Sequence, residues 1–215
     1  MTKWLRFGAR SRGATRRAVA GEGAYSTDVP KIIGDSLEEH RATMRRRVFD
    51  ALVELLRERP FDLITMADLA THAGVGRSSL YNHFKDKEAV VVAFATDETS
   101  RYLDQLNASL ADRTTPTERL ETYVRHHVDT SKDFHIGLGP ELRAMLSPES
   151  VTAMREHVVA VEQVLRQILI DGVAAGEFTV DDIDATVSLL HATLSARHAS
   201  ADTTTRFVLA AVSAS

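Results

Sequence analysis

Residues 64 to 88, ITMADLATHAGVGRSSLYNHFKDKE, decide the fold, because they read as two short helices around a glycine turn. Thr65 stands where an N-cap is needed, and Asp68 three residues on completes a capping box that satisfies free backbone N–H groups at a helix start. Leu69 and Ala70 share one face of this first helix, and a residue as small as Ala70 lets a second helix cross close by. Gly74 can take a positive φ at no steric cost, so the chain can turn sharply there, with Val75 as the apolar plug. A second helix then runs from about Arg77 to Phe84, with Leu80 and Phe84 spaced four apart to face the first. This is a helix-turn-helix pattern.

The other face of the second helix carries Arg77, Ser78, Ser79, Tyr81, Asn82 and His83. Such a helix suits the major groove of double-stranded DNA. Arg pairs bidentately with guanine O6/N7 and Asn with adenine N6/N7, while hydroxyl and imidazole N–H groups suit phosphate oxygens. A solvated polar face is the bland alternative for any single Ser or Asn. The ordered set of cap, small residue, turn glycine, apolar plug and polar aromatic helix outweighs it.

Leu80-Tyr81-Asn82-His83-Phe84-Lys85-Asp86-Lys87-Glu88 resembles the LYxHFxxKE signature of the TetR family of one-component transcription regulators. The resemblance is detailed over residues 36 to 95; beyond them only length and helical pattern agree. It implies that Thr65, Tyr81, His83 and Lys87 hold phosphates, Lys87 from the start of the next long helix, and that Arg77, Ser78 and Asn82 face bases. Gly76 departs from the family pattern, which commonly has a capping Ser or Thr that also touches the DNA backbone. Glycine permits the cap without that side-chain contact.

With 215 residues, 44% of them hydrophobic, the chain can bury a substantial core as one or two domains. It has no cysteine, which excludes disulfides, cysteine nucleophiles and thiolate metal sites and suits a reducing cytoplasm. The formal charge of −4 divides unevenly: residues 1 to 90 hold 16 Lys+Arg against 12 Asp+Glu, and residues 91 to 215 hold 10 against 18. A basic head on an acidic body fits DNA binding at the motif, with salt-sensitive affinity.

Residues 1 to 35 place Arg6, Arg10, Arg12, Arg16 and Arg17 among Gly, Ala, Ser and Thr. They are expected to be disordered, either as a basic arm along the minor groove or phosphates, or as a solvated tail or a start codon placed too early. No apolar run is long enough for a secretory or membrane-spanning segment, so no membrane partner is expected.

Residues 36 to 85 are assigned to the helix-turn-helix domain and 86 to 215 to a C-terminal helical domain. The first helix is predicted from Ser36, with Glu39 completing a capping box, to before Pro60, with Met44, Val48, Leu52 and Leu55 as its buried stripe. Asp86 caps a long helix to about Ala111, which joins head to body. Thr115-Pro116 starts another, with Leu120, Tyr123, Val124 and Val128 as its apolar set. A loop is predicted near 130 to 133, and a short or broken helix over Phe134 to Pro140. Ser147-Pro148-Glu149 is a strong start for a helix to about Ala175, stopped by Gly176. Asp181 or Asp182 starts the next, ending near Ala199, and a last helix covers about Thr203 to Val212. The fold class is therefore all-α, and the resemblance implies a three-helix head joined by a long helix to a ligand-binding and dimerisation bundle.

His126, His127, His135, His157, His191 and His198 raise the question of catalysis. None has HExxH or comparable spacing, and no P-loop, dinucleotide fingerprint or nucleophile elbow is present. No catalytic residue, metal or cofactor is expected. The resemblance implies instead a homodimer formed by the last two helices, here with a short final segment, and a pocket in the body for an unknown small-molecule effector. Candidate lining residues are Phe94, Tyr102, Tyr123, His127, Phe134, Met154 and His191, each of which could equally be simple core. The reading is a cytoplasmic repressor released by its effector from an inverted-repeat operator. Alternatives are a DNA-organising or protein-regulated binder with no small-molecule inducer, and a helical enzyme with an incidental helix-turn-helix.

Overall fold

Helix-start chemistry sets the element boundaries. In the computed structural model, which describes residues 32–134, 140–194 and 199–214, the Thr65 hydroxyl accepts from the Asp68 N–H at 3.1 Å while the Asp68 carboxylate accepts from the Thr65 N–H at 3.0 Å. This capping box opens α2 (Met66–His72). Gly74, at φ 62°, turns the chain into α3 (Arg77–His83). Asp86 accepts from the Ala89 N–H and opens α4 (Lys87–Leu110); Ser147 accepts from the Ser150 N–H and, with Pro148 behind it, opens α7 (Pro148–Ala174). Gly176, at φ 73°, closes that helix.

The other helices are α1 (Ile32–Glu58), α5 (Pro116–Phe134), α6 (Pro140–Ala144), α8 (Ile183–Leu194) and α9 (Ala201–Val212), with a 3-10 turn at Phe61–Leu63. Among the described residues the only extended pairing is a bridge between Phe178 and Ser213. The boundary between two compact units falls within α1, at Glu38 and Glu39.

Three predicted boundaries move. Helix α1 begins at Ile32, so Ser36 lies inside it and does not cap it. The loop predicted near 130 to 133 is helical, since α5 continues to Phe134; Thr130 bonds back to the His126 carbonyl, which satisfies its hydroxyl within the helix. Helix α9 begins two residues early, capped by Ser200 on the Thr203 N–H. Described helix in α8 stops at Leu194, and residues 195 to 198, before the predicted end at Ala199, lie outside the described residues, as do 135 to 139 and the arm expected over residues 1 to 31.

Two apolar cores form from these elements. One gathers Met44, Val48, Leu52 and Leu55 of α1 with Leu69 and Ala70 of α2, Leu80 of α3 and Val90 and Val91 of α4. Leu142 and Leu146 are buried in it too, with Val151 and Met154 of α7 packed against it. The other joins Tyr102, Leu106 and Leu110 of α4 to Leu120, Tyr123 and Val124 of α5, Leu165, Ile168 and Leu169 of α7, Leu190 of α8 and Val208 of α9. Helices α4 and α7 thus contribute to both, and no core boundary coincides with residue 85. Ion pairs between Arg119 and Asp171, Arg125 and Asp202, and Arg166 and Asp184 tie the body helices at their solvent edges. Each is partly exposed and contributes at most about 1 kcal/mol.

Candidate DNA-reading helix and buried Tyr–His cluster

Helix α3 is held by its apolar side. Leu80 is fully buried and Phe84, at the C-cap, packs 6.3 Å from the Phe49 ring. The turn is fixed by the Val75 N–H donating to the Ala70 carbonyl at 3.0 Å, which seats Val75 against the same core. Gly76 caps α3 in an extended conformation with no side-chain hydrogen bond, as its lack of a hydroxyl requires.

The consequence is a polar face turned entirely outward. Arg77, Ser78, Ser79, Tyr81, Asn82 and His83 are all exposed, Tyr81 at 55%. Among the described residues, none of these six side chains donates or accepts a hydrogen bond within the chain. A partner could therefore take up their hydrogen bonds without first breaking internal ones.

Two residues expected beside them are engaged elsewhere. The Thr65 hydroxyl donates to Asp68 Oδ2 at 2.8 Å, so its proton belongs to the capping box. These bonds hold the Asp68 carboxyl below the usual carboxylate range. The Lys87 ammonium donates to the carbonyls of Phe61 (2.8 Å), Asp62 (3.0 Å) and Ile64 (2.8 Å), and lies 4.6 Å from the Phe61 ring centroid. An ammonium has three N–H donors, so the phosphate contact that the resemblance implies for Lys87 has no free donor in this conformation. What Lys87 does here is clamp the turn before α2 onto the start of α4.

Its neighbour Glu88, the last residue of the LYxHFxxKE-like stretch, reaches across to α7. Glu88 Oε2 accepts from Ser147 N at 3.0 Å, Ser147 Oγ at 2.6 Å and Ser150 Oγ at 2.7 Å. These bonds, with Ser147 the leading one, hold the Glu88 carboxyl below its ordinary range. The partners lie 59 and 62 residues apart in sequence, too far for a spacing argument to pair them.

Of the seven residues proposed to line a pocket, four converge. Tyr102 OH is hydrogen-bonded to His127 Nδ1 and Tyr123 OH to His191 Nε2, each at 3.0 Å. Tyr123 and His127 stack at 6.1 Å, His127 and His191 lie 5.8 Å apart, and Tyr102 sits 5.0 Å from His126. Glu162 Oε1 approaches His191 Nδ1 at 3.8 Å. Burial pushes both tyrosines well above the usual phenol range. Burial also pushes His126 and His191 below the usual imidazole range, against the opposing pull of the Tyr102 carbonyl and Asp129 on the first and Glu162 on the second. Burial therefore favours the neutral forms of Tyr102, Tyr123, His126 and His191. His126 Nε2 is buried with no hydrogen-bond partner among the described residues.

The other three do not join them. Phe94 packs edge-on to Phe49 at 5.6 Å in the head core, and Met154 packs against that same core. The Phe134 side chain lies outside the described residues. No group of three His, Cys, Asp or Glu that could hold a metal occurs among the described residues.

A family model described as "Bacterial regulatory proteins, tetR family" matches residues 48–94, and one described as "Tetracyclin repressor-like, C-terminal domain" matches residues 116–207. The HTH-type transcriptional regulator AlkX of Mycobacterium tuberculosis is 36% identical over 73 residues, which span 34% of this chain and only 35% of AlkX. The HTH-type transcriptional repressor KstR2 of Rhodococcus jostii is 28% identical over 141 residues, 64% of this chain and 69% of the relative. Among solved structures, FadR from Bacillus subtilis in complex with stearoyl-CoA shares the fold with a TM-score of 0.63 at 19% identity, over 77% of this chain and 88% of that one. Two models cover the head and most of the body in chain order, and the exposed helix α3 lies within the residues that the first matches. The chain belongs to the TetR family of bacterial regulatory proteins.

Proposed function

We propose that the chain is a dimeric repressor that reads an inverted-repeat operator through α3 and leaves it when a small molecule binds in the C-terminal bundle. The observation that carries this reading is the outward face of α3, with six polar side chains free and the opposite side locked by Leu80 and Phe84. Arg77 and Asn82 supply the bidentate base contacts, Ser78 a shorter one, and Ser79, Tyr81 and His83 suit phosphates. Gene control acts where the DNA is, in the cytoplasm. KstR2, named as a repressor, supports the sign of the regulation.

A helix of 7 residues spans about 10 Å, roughly three base pairs, too few for a specific site. Two copies related by a twofold axis would read half-sites about 34–36 Å apart. Helices α8 and α9 leave Leu189 and Phe207 69% and 60% exposed, apolar surface that suits the dimer contact implied by the family. The effector would displace the partners of Tyr102, Tyr123, His127 and His191, a site suited to a mostly apolar molecule with few polar atoms. Stearoyl-CoA, bound in the FadR structure, is the first to titrate, because its acyl chain is an apolar group of this kind, with free stearate as the comparison that separates the chain from the charged head.

Selection of bound duplexes from a random-sequence pool tests the proposal. An inverted repeat with half-sites one turn apart is the expected result. Uniform retention of all sequences would favour a DNA-organising role with no inducer.

A further inference from the structure

Helices α4 and α7 run side by side through both cores, and polar contacts join them at two levels. Near the head, Glu88 takes the three donors of Ser147 and Ser150. Two to three turns further along, Thr96 Oγ1 meets His157 Nε2 at 3.2 Å. Because the Thr96 hydroxyl donates to the Val92 carbonyl, the His157 nitrogen is the donor in that contact. Beyond it, α7 carries Glu162 to His191, at the Tyr–His cluster. One helix therefore touches the buried cluster near its middle and Glu88 at its start.

Glu88 is also part of the α7 cap. The Ser147 hydroxyl accepts from the Ser150 N–H, as an N-cap does, and gives its own proton to Glu88. A carboxylate at a helix N-terminus is favoured by the local dipole as well as by the hydrogen bonds. Withdrawing α7 from α4 would strip the carboxylate and expose the cap in one step. The preceding residue, Lys87, clamps the Phe61 to Ile64 turn, which leads directly into the Thr65 capping box and hence into α2 and α3. The physical path is continuous: α7 start, Glu88, Lys87, the turn before α2, and the recognition helix.

We propose that Glu88 is a positioning residue that couples the head to the effector-binding body, by tying the first turn of α4 to the start of α7. The assignment rests on the reading of the chain as an effector-controlled DNA binder. It adds that the signal reaches the head through α7 and this one carboxylate. Coupling between two sites acts in both directions, so DNA bound at α3 must be felt at the start of α7.

Hydrogen exchange on the full chain, with and without a duplex selected from the random pool, reads that coupling without an identified effector. In the native protein, duplex binding is expected to change exchange of amides in residues 148 to 157 by about fivefold or more, the lower end of ordinary coupling. Glu88→Gln keeps the shape and loses the charge; it is expected to fold, to bind the duplex, and to lose most of that change. Ser150→Ala, which removes one donor from the other side, should lose part of it, and the double variant no more than Glu88→Gln alone. Melting curves verify that each variant is folded. A Glu88→Gln protein with the full α7 response, or a native protein with none despite binding DNA, overturns the assignment. A native chain that prefers no duplex overturns the regulator reading and the assignment with it.

Discussion

Replacing Lys87 by Met separates the contact implied by the signature from the one in the structure. Methionine keeps an unbranched stem over Phe61 and removes the ammonium from three carbonyl oxygens at 2.8, 3.0 and 2.8 Å. A hydrogen bond to a charged group contributes about 1.5–3 kcal/mol net. The Asp62 carbonyl is exposed and water replaces the lost donor there, so its share is small, while the part-buried bonds to Phe61 and Ile64 carry most of the effect. Loss of the cation–π contact adds about 0.5 kcal/mol. Against this stands the rehydration of a half-buried ammonium, leaving a net destabilisation of about 2–4 kcal/mol. For a chain of this size that lowers Tm by about 5–15 °C, measurable by calorimetry. DNA affinity should fall on all sequences alike, because the head is loosened. The slope of log affinity against log salt should stay as in the native protein, since no phosphate contact is removed. An unchanged Tm with the slope shallower by about 1.8, one phosphate contact from each of two protomers, would refute this account and restore Lys87 to the phosphate backbone.

Asn82→Ala or Arg77→Ala should cost about 1–3 kcal/mol on the selected site and relax preference at one position per half-site, read by competition titrations on single-base variants. Gly172→Ala would place a Cβ 1.9 Å from Phe178 Cδ2, and Phe178 is itself held by its N–H on the Gly172 carbonyl and by pairing with Ser213, so a loss of about 3 kcal/mol is expected in urea unfolding. His126 and His191 sit below the free imidazole value of 6.5, so the unfolded chain takes up protons first as pH falls. Their contribution is complete above about 6.5 and is lost progressively below it; Glu88, whose value is depressed from 4.5, loses its contribution only in more acid solution. Melting temperatures from pH 7.5 to 5.5 that stay flat would contradict the neutral assignment of the imidazoles.

Features that depend on a few adjacent residues are legible in this sequence. The Thr65–Asp68 box, the Asp86 cap, the Ser147–Pro148 start and the positive φ of Gly74 and Gly176 all follow from local backbone chemistry. The polar face of α3 is legible for the same reason, since helical spacing alone separates Leu80 and Phe84 from the other six. Polar runs mislead where a hydroxyl can bond back to its own helix, as Thr130 does, and so α5 outlasts its predicted end. Long-range pairing is out of reach of spacing. The residue types of the Tyr–His cluster stand out in the sequence, but Tyr123 and His191 meet across 68 positions, and Phe94 and Met154 go to the head core because α4 and α7 each serve both cores. Lys87 and Glu88 read as one motif, yet one faces the turn before α2 and the other the start of α7.

The central claim is that α3 reads bases. It is tested most directly by titrating the full chain with its selected duplex and with a scrambled duplex of equal length and composition, in one buffer at physiological salt. The account predicts that the selected duplex binds about 1,000-fold more tightly or better, with two protomers per duplex. Equal affinities for the two duplexes would contradict it.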